Sequence, residues 1–377
     1  MRNFLQLVLK LYRAETDCGR WIKFTVSLTL GVILGAALLA FIVDPHYRYR
    51  EPFFYDTVYY EIYATAPHIL KHQQYDLLML GTSMTRNFFL EDINKAFDCD
   101  AVKLAASGGT PGDLRKFFEV AKAARGEKLR RVILSLDIYP LNKDYTRFEE
   151  FSYMYRDDHR EDYRYLFSRK TFSNMIYLIK RKQRPKRHRR HQSDRNRMFA
   201  TEYDGKPYGF NPVISDVVHN VMINHRQTAY NAEAYRKNLN VEILPMFDEN
   251  PDIRFIVYLP PYHIYTYCQS EAAGEADALI KQRTEVMLEL LKRPNVELHD
   301  FQSDGKYVLD FDKFSDTQHF SNTAAREILA DLRSSRRRIR TAADVLANEA
   351  ELRLLMQRKM KSYHRDLNKF NPMKGKK

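Results

Sequence analysis

The chain is short of cysteine, glycine and acidic charge, and each shortage removes a class of protein. Three cysteines in 377 residues, Cys18, Cys99 and Cys268, are too few for a disulfide scaffold, and no spacing among them suits zinc. Only Cys99 and Cys268 could pair in an oxidising compartment, and sequence alone cannot supply the geometry a disulfide needs. Thirteen glycines argue against an all-β chain built on many tight turns. Acidic residues number 48 against 61 lysines and arginines, a formal charge of +13 with a sequence pI near 9.4. That balance attracts anionic partners such as phospholipid head groups, teichoic-acid-like polymers or nucleic acid, and says nothing about fold. No internal repeat is visible. What is present, 44% hydrophobic and 13% aromatic residues, excludes a disordered chain. The length suffices for one large domain or two small ones.

One long apolar run stands out. Phe24 to Val43 reads FTVSLTLGVILGAALLAFIV without a charge, and about twenty helical residues cross a hydrocarbon core of about 30 Å. Arg2, Lys10, Arg13, Arg20 and Lys23 precede it, so the positive-inside rule keeps residues 1–23 cytoplasmic. Asp44-Pro45 then stops the helix, and the Tyr-rich stretch His46-Tyr47-Arg48-Tyr49 suits the head-group layer. A cleaved signal peptide would have a shorter apolar region and fewer preceding residues, and Cys18 lies before the run, which excludes a lipoprotein cleavage site. The expectation is a retained single-pass anchor at the cell membrane. No later run is long enough to cross again, so the rest would be extracytoplasmic.

Beyond the anchor, short apolar runs alternate with helical periodicity. Strands are expected at Tyr75–Leu80, Ala101–Leu104, Arg131–Asp137, Ile253–Leu259 and Val296–His299, with helices such as Leu114–Ala124, Ala232–Phe247 and Ala276–Leu291 between them. This pattern predicts an α/β domain over 44–332, a doubly wound, mostly parallel sheet flanked by helices. Near-continuous apolar strands such as IRFIVYL fit burial on both faces. An insertion is expected over 142–230, aromatic at first and then polybasic at 180–197. Residues 333–377 read as a basic helical tail, free to pack on the domain or to lie along the membrane.

The polar residues fall at strand ends. Gly81-Thr82-Ser83-Met84 follows the first strand, Ser107-Gly108-Gly109-Thr110 the second, and Asp316-Thr317-Gln318-His319 the last. In an open α/β sheet such loops meet at the carboxyl edge, where ligands bind. They could support acyl transfer: Ser83 as nucleophile, His319 as its base, Asp316 orienting the imidazole, and the amides of Ser83 and of Gly108 or Gly109 as oxyanion donors. Each piece alone has a bland reading. Gly-x-Ser after a strand is commonly a turn with Ser as N-cap, Gly-Gly is commonly a turn, and a lone Asp-x-x-His is commonly solvated. It is their order, each at a strand end, that points to chemistry. His263, in the turn Pro260-Pro261-Tyr262-His263, is the rival base, although it has no Asp at short spacing.

This order resembles the SGNH (GDSL-like) hydrolase superfamily. The anchor with Asp-Pro, the blocks GTSMTRNF and LAASGGTP, and the segment NPDIRFIVYLPPYH are similar to membrane-anchored relatives of the D-alanyl-lipoteichoic-acid transfer protein. The likeness spans about two thirds of 44–332 and omits the basic insertion and the tail. It implies an SGNH/flavodoxin-like sheet, a Ser83–His319–Asp316 triad, Ser83 and Gly108 or Gly109 amides at the oxyanion, and no metal or cofactor. One position departs from the pattern: the third block, where the superfamily has an oxyanion-donating Asn, carries Asp137. A charged Asp137 would repel an oxyanion, so it must be protonated, point away or serve another role. Asn87 and Asn142 are substitutes without support from spacing.

Two functions follow. One is a serine-dependent acyl hydrolase or O-acyltransferase acting on a cell-envelope polysaccharide, teichoic-acid-like polymer or lipid-linked substrate. The other is a non-catalytic accessory protein that assists a multi-pass membrane O-acyltransferase. The basic loop at 180–197 would meet an anionic lipid surface or be simply solvated. His188 and His191 within it lack nearby ligands for a metal. Nucleic-acid binding rests on charge alone and conflicts with the expected topology.

Overall fold

The five apolar runs become five parallel strands because each is long enough, and apolar enough, to be buried on both faces of one sheet. In the computed structural model they are β1 (Leu77–Thr82), β2 (Ala101–Ala106), β3 (Arg131–Ser135), β4 (Arg254–Leu259) and β5 (Val296–Asp300). A two-residue antiparallel edge, β6 (Arg338–Ile339), completes the order β2-β1-β3-β4-β5-β6. Residues 17–55, 57–59, 61–143, 145–182, 194–199, 207–222 and 230–370 are described. Helices including Leu90–Phe97, Pro111–Arg125, Ala276–Leu290 and Asn322–Arg333 flank the sheet, so the expected α/β class holds. β1 and β2 are buried at every position. The strand order reverses between β1 and β3, and a crevice opens at the carboxyl ends of strands beside such a reversal.

Several details differ from the sequence reading: β3 stops at Ser135, short of the expected Asp137, and β2 runs on to Ala106. β1 runs through Gly81 and Thr82, which puts Ser83 first beyond the strand. The helix expected at Ala232–Phe247 is a broken one, with a π-helical stretch at Asn238–Ile243 between two short α-helices. β6 lies in the basic run RSSRRRIR, where charge hides a two-residue strand.

The tail question is answered by packing. Helix Ala342–Phe370 buries Val345, Leu352, Met356 and Tyr363. It is fastened by Tyr265 Oη donating to Asp366 (2.7 Å), Thr284 Oγ1 donating to Glu349 (2.7 Å) and Asn348 Nδ2 donating to Asp300 (2.9 Å). All three cysteines are free thiols.

The chain divides into two compact units, Met1–Thr57 with Ser152–Arg189 and Val58–Phe151 with Arg190–Lys377. The expected insertion over 142–230 is therefore shared between them. In the first unit, helix Asp17–Val43 is long and apolar enough to cross a membrane, and only 11% of its most apolar window is buried. The Asp44 carboxylate after it gathers the amides of Arg48 (2.8 Å), Tyr49 (2.8 Å) and Arg50 (3.1 Å) and the Tyr165 hydroxyl (2.7 Å). Arg48 in turn holds Asp162 at 2.9 Å. These bonds draw helix Asp162–Leu166 to the end of the apolar helix. Most of the basic run at 180–197, with His188 and His191, falls at 183–193, outside the described residues.

Candidate active site

Ser83 stands where β1 turns into a 3-10 turn, Ser83–Thr85, and the local sequence explains the turn. Thr82 caps it, its hydroxyl accepting from the Met84 amide (3.4 Å), while Thr85 Oγ1 donates to the Thr82 carbonyl (2.8 Å). Gly81 lets the turn fold this closely. A Cβ there would lie 2.4 Å from Thr85 Cγ2 and 2.7 Å from Ser135 Cβ, closer than atoms can approach without displacement. Lys103, fully buried on β2, donates to the carbonyls of Arg86 (2.9 Å) and Phe88 (2.6 Å) just past the turn. Burial, then the charge of Arg86, brings its ammonium pKa down to about 7.

The imidazole arrives from the far end of the chain. Phe314 and Phe320 form an antiparallel bridge that closes a loop over residues 315–319. Within it, Asp316 Oδ1 accepts the amides of Gln318 (2.8 Å) and His319 (2.7 Å), and Oδ2 meets His319 Nδ1 at 2.7 Å. The other ring nitrogen, Nε2, lies 2.8 Å from Ser83 Oγ. The side chains of His319 and Asp316 are 20% and 22% exposed, and Ser83 is half-buried, so the group opens to solvent. Burial would raise the Asp316 carboxyl. The His319 ring and the two amides outweigh it and hold the carboxyl below its ordinary range.

Asparagines tie the two loops together. Asn87 Nδ2 donates to the Phe320 carbonyl, and Asn322 Nδ2 donates to the Asn87 carbonyl at 2.7 Å. Asn87 is thus a brace between the serine and histidine loops. Asn142 is also structural: it is buried, donates to Gln282 at 3.0 Å and accepts the Asn231 amide at 2.9 Å. Both side chains are engaged in holding the fold.

The second block is a turn on β2. The Gly109 amide donates to the Ala106 carbonyl at 2.8 Å, which commits Gly109 to the turn and leaves Gly108 as the candidate oxyanion donor. Gly108 sits at φ +63°, a region that favours glycine. The turn leads into helix Pro111–Arg125 through a capping box of Thr110 and Asp113. Asp113 is a hub: it also accepts Tyr63 Oη (3.1 Å), Thr146 Oγ1 (2.6 Å) and the Arg147 amide (3.1 Å). That anchorage lays the exposed Arg147 guanidinium over the turn. Nη1 donates to the Ser107 carbonyl at 3.0 Å, and Nη2 would lie 3.1 Å from a Cβ on Gly108. No carboxylate pairs with Arg147 among the described residues.

Asp137 follows β3, beside the Ser83 turn. Its Oδ2 accepts the Thr82 hydroxyl at 3.1 Å, and its Oδ1 accepts the Tyr262 hydroxyl and the Tyr139 amide (3.3 Å). Burial raises its pKa against the lowering effect of those three donors. A carboxyl whose folded pKa exceeds its unfolded one lends stability that is complete below the unfolded pKa and is lost as pH rises through the folded one. Asp137→Asn carries no such penalty. Its melting temperature relative to wild type is expected to climb as pH rises above the ordinary carboxyl range, read by thermal melts from acid to neutral pH. A difference that stays flat with pH would show an ordinarily ionised Asp137.

The rival base is disposed of by burial. The His263 ring is fully buried, 4.2 Å from the Phe311 ring centroid, and its Nδ1 accepts the Tyr265 amide at 3.2 Å. Burial, and then Lys359, lowers its pKa to about 3. Its backbone serves the site instead, since its amide donates to the Thr317 carbonyl at 2.9 Å and steadies the His319 loop.

Sequence reasoning missed Lys103, Asp113, Arg147 and the Asn87–Asn322 brace. Two left a trace: a single lysine in the apolar strand AVKLAA, and the capping signature T-P-G-D. No protein-family model, curated protein or solved structure matches the chain.

Proposed function

We propose that this chain is a membrane-anchored, extracytoplasmic serine acyl hydrolase or O-acyltransferase of the SGNH type, acting on a cell-envelope polysaccharide or teichoic-acid-like polymer. One observation carries the reading: the hydrogen-bonded line from Ser83 Oγ through the His319 ring to Asp316. A hydroxyl at 2.8 Å from an imidazole nitrogen is within reach for proton transfer. His319 Nε2 takes the Ser83 proton as Oγ adds to the acyl carbonyl, and Asp316 stabilises the imidazolium. The tetrahedral oxyanion faces the amides of Ser83 and Gly108. Collapse expels the alcohol, which receives the proton from His319, and leaves an acyl group on Ser83. Water or a polymer hydroxyl, deprotonated by His319, then takes the acyl group.

The apolar helix as a single-pass anchor, with residues 1–23 in the cytoplasm, keeps such an enzyme beside wall-bound or lipid-linked substrate. The charge of +13 favours an anionic polymer, and Arg147 offers a guanidinium at the turn that would carry the oxyanion. Asp137 in the place of the superfamily's Asn favours a second reading, an accessory protein without turnover that serves a membrane O-acyltransferase.

Turnover separates the two. Purified chain is expected to release alcohol from short-chain aryl esters or to move the acyl group to a polyol. Arg147→Gln is expected to lower kcat/KM by about 10–100-fold on esters bearing a carboxylate or phosphate, the worth of one charge-assisted hydrogen bond, and to spare neutral ones. Absence of turnover from folded protein with every ester and acceptor favours the accessory reading.

A further inference from the structure

The first unit contains a helix with two apolar stripes and a use for only one of them. Helix Arg169–Lys182 buries Thr171, Met175 and Leu178. A second stripe, Phe172, Ile176 and Ile179, follows the i, i+4, i+7 spacing of one helix face. Ile176 is 53% exposed and Ile179 60%, and Phe172 is half-buried, although nothing in a water-soluble surface calls for two exposed isoleucines on one face. Phe53, 69% exposed, and Phe54 and Phe167, also exposed, belong to the same unit.

Local bonds fix where these groups stand relative to the apolar helix. The Arg50 guanidinium covers the Phe41 ring at 4.6 Å, donates to the carbonyls of Phe41 and Ile42, and reaches the Phe53 ring at 5.7 Å. Phe53 is therefore level with the last turn of the apolar helix. His46 Nε2, three residues past that helix, meets Asn174 Nδ2 at 2.6 Å, which sets helix Arg169–Lys182 at the same level. Arg169 and Lys170 begin that helix and Lys180 lies near its end. Exposed apolar groups between cationic ends, placed where an apolar helix leaves the bilayer, match a segment lying in the head-group boundary.

We propose that Phe53–Phe54 and the Phe172–Ile176–Ile179 stripe form a collar inserted in the outer lipid leaflet, with phospholipid acyl chains as its occupant. Basic residues at the ends of the helix meet the lipid phosphates. The proposal rests on the reading of residues 24–43 as a membrane anchor. The collar holds the first unit at a set depth and spreads its attachment beyond a single helix, so the anchor cannot swivel freely.

The full chain in phosphatidylcholine–phosphatidylglycerol nanodiscs, doped with a phospholipid bearing a diazirine near the head group, provides the test. Adducts are mapped by peptide mass spectrometry. Expected are adducts within 24–43, at Phe53–Phe54 and over 172–179. Ile176→Lys with Ile179→Lys should remove those on the helix by at least 5-fold and keep those on 24–43. Adducts confined to 24–43 would overturn the collar and leave the anchor standing, whereas no adducts at all would overturn both. In native membranes, a photo-crosslinker at Ile179 that captures a protein in place of lipid would also overturn the proposal.

Discussion

Ser83→Ala is expected to lower kcat/KM for ester cleavage or acyl transfer by about 10⁴-fold or more, with no change in melting temperature. The serine oxygen is held by the His319 ring in a half-exposed position, so its removal opens no cavity in the core. His319→Ala is expected to cost about as much. In the proposed mechanism the two residues pass one proton between them, so the double variant should be scarcely worse than either single one. Steady-state kinetics on all three variants give the answer. Additive losses would mean that the hydroxyl and the imidazole act independently, which their 2.8 Å separation argues against.

The largest effect on stability is expected from Arg283→Met. Arg283 is 1% exposed and its guanidinium is bonded to the fully buried Asp300. Asp300 also accepts Ser303 Oγ (2.5 Å), Asn348 Nδ2 (2.9 Å) and the Gln302 amide (3.0 Å), which joins the end of β5 to helix Ala342–Phe370. Burial would raise the Asp300 carboxyl. The Arg283 charge and the surrounding donors reverse that and lower it. Methionine keeps most of the volume but strands a buried carboxylate, at a cost of about 3–5 kcal/mol. Denaturant unfolding in detergent should show this loss, and adding Asp300→Asn to the variant should recover part of it. A carboxyl lowered on folding gives stability that is present above its unfolded pKa and lost as pH falls through the folded one. The wild-type advantage should therefore shrink in acid. Loss of less than about 1 kcal/mol would mean that the pair contributes little.

The parts of the fold that could be read from sequence are those dictated by short-range pattern. Runs such as RVILS and RFIVYL announce buried parallel strands because no charge interrupts them after the first residue. The serine turn, the Gly-Gly turn and the Asp-x-x-His loop are visible because each follows a strand. What escaped depends on distance along the chain. Asn87 reaches a carbonyl 233 residues away, and Asp44 takes the hydroxyl of Tyr165 from 121 residues away. Nothing near Tyr165 signals that its helix belongs with the apolar N-terminal helix. β6 escaped for a different reason: its two residues lie in a run of arginines, where burial of Ile339 outweighs the local polarity. Asp137 was legible as a departure but not as a bonded carboxyl, because Tyr262, its partner, comes from another strand's end.

Fluorophosphonate labelling followed by peptide mapping tests the serine reading most directly, because the reagent forms a stable bond only with a serine made nucleophilic by its surroundings. Folded wild-type chain should carry one label, on the peptide holding Ser83, and His319→Ala should carry almost none. Labelling at another residue, or equal labelling of Ser83 without the histidine, would contradict a Ser83–His319 nucleophile.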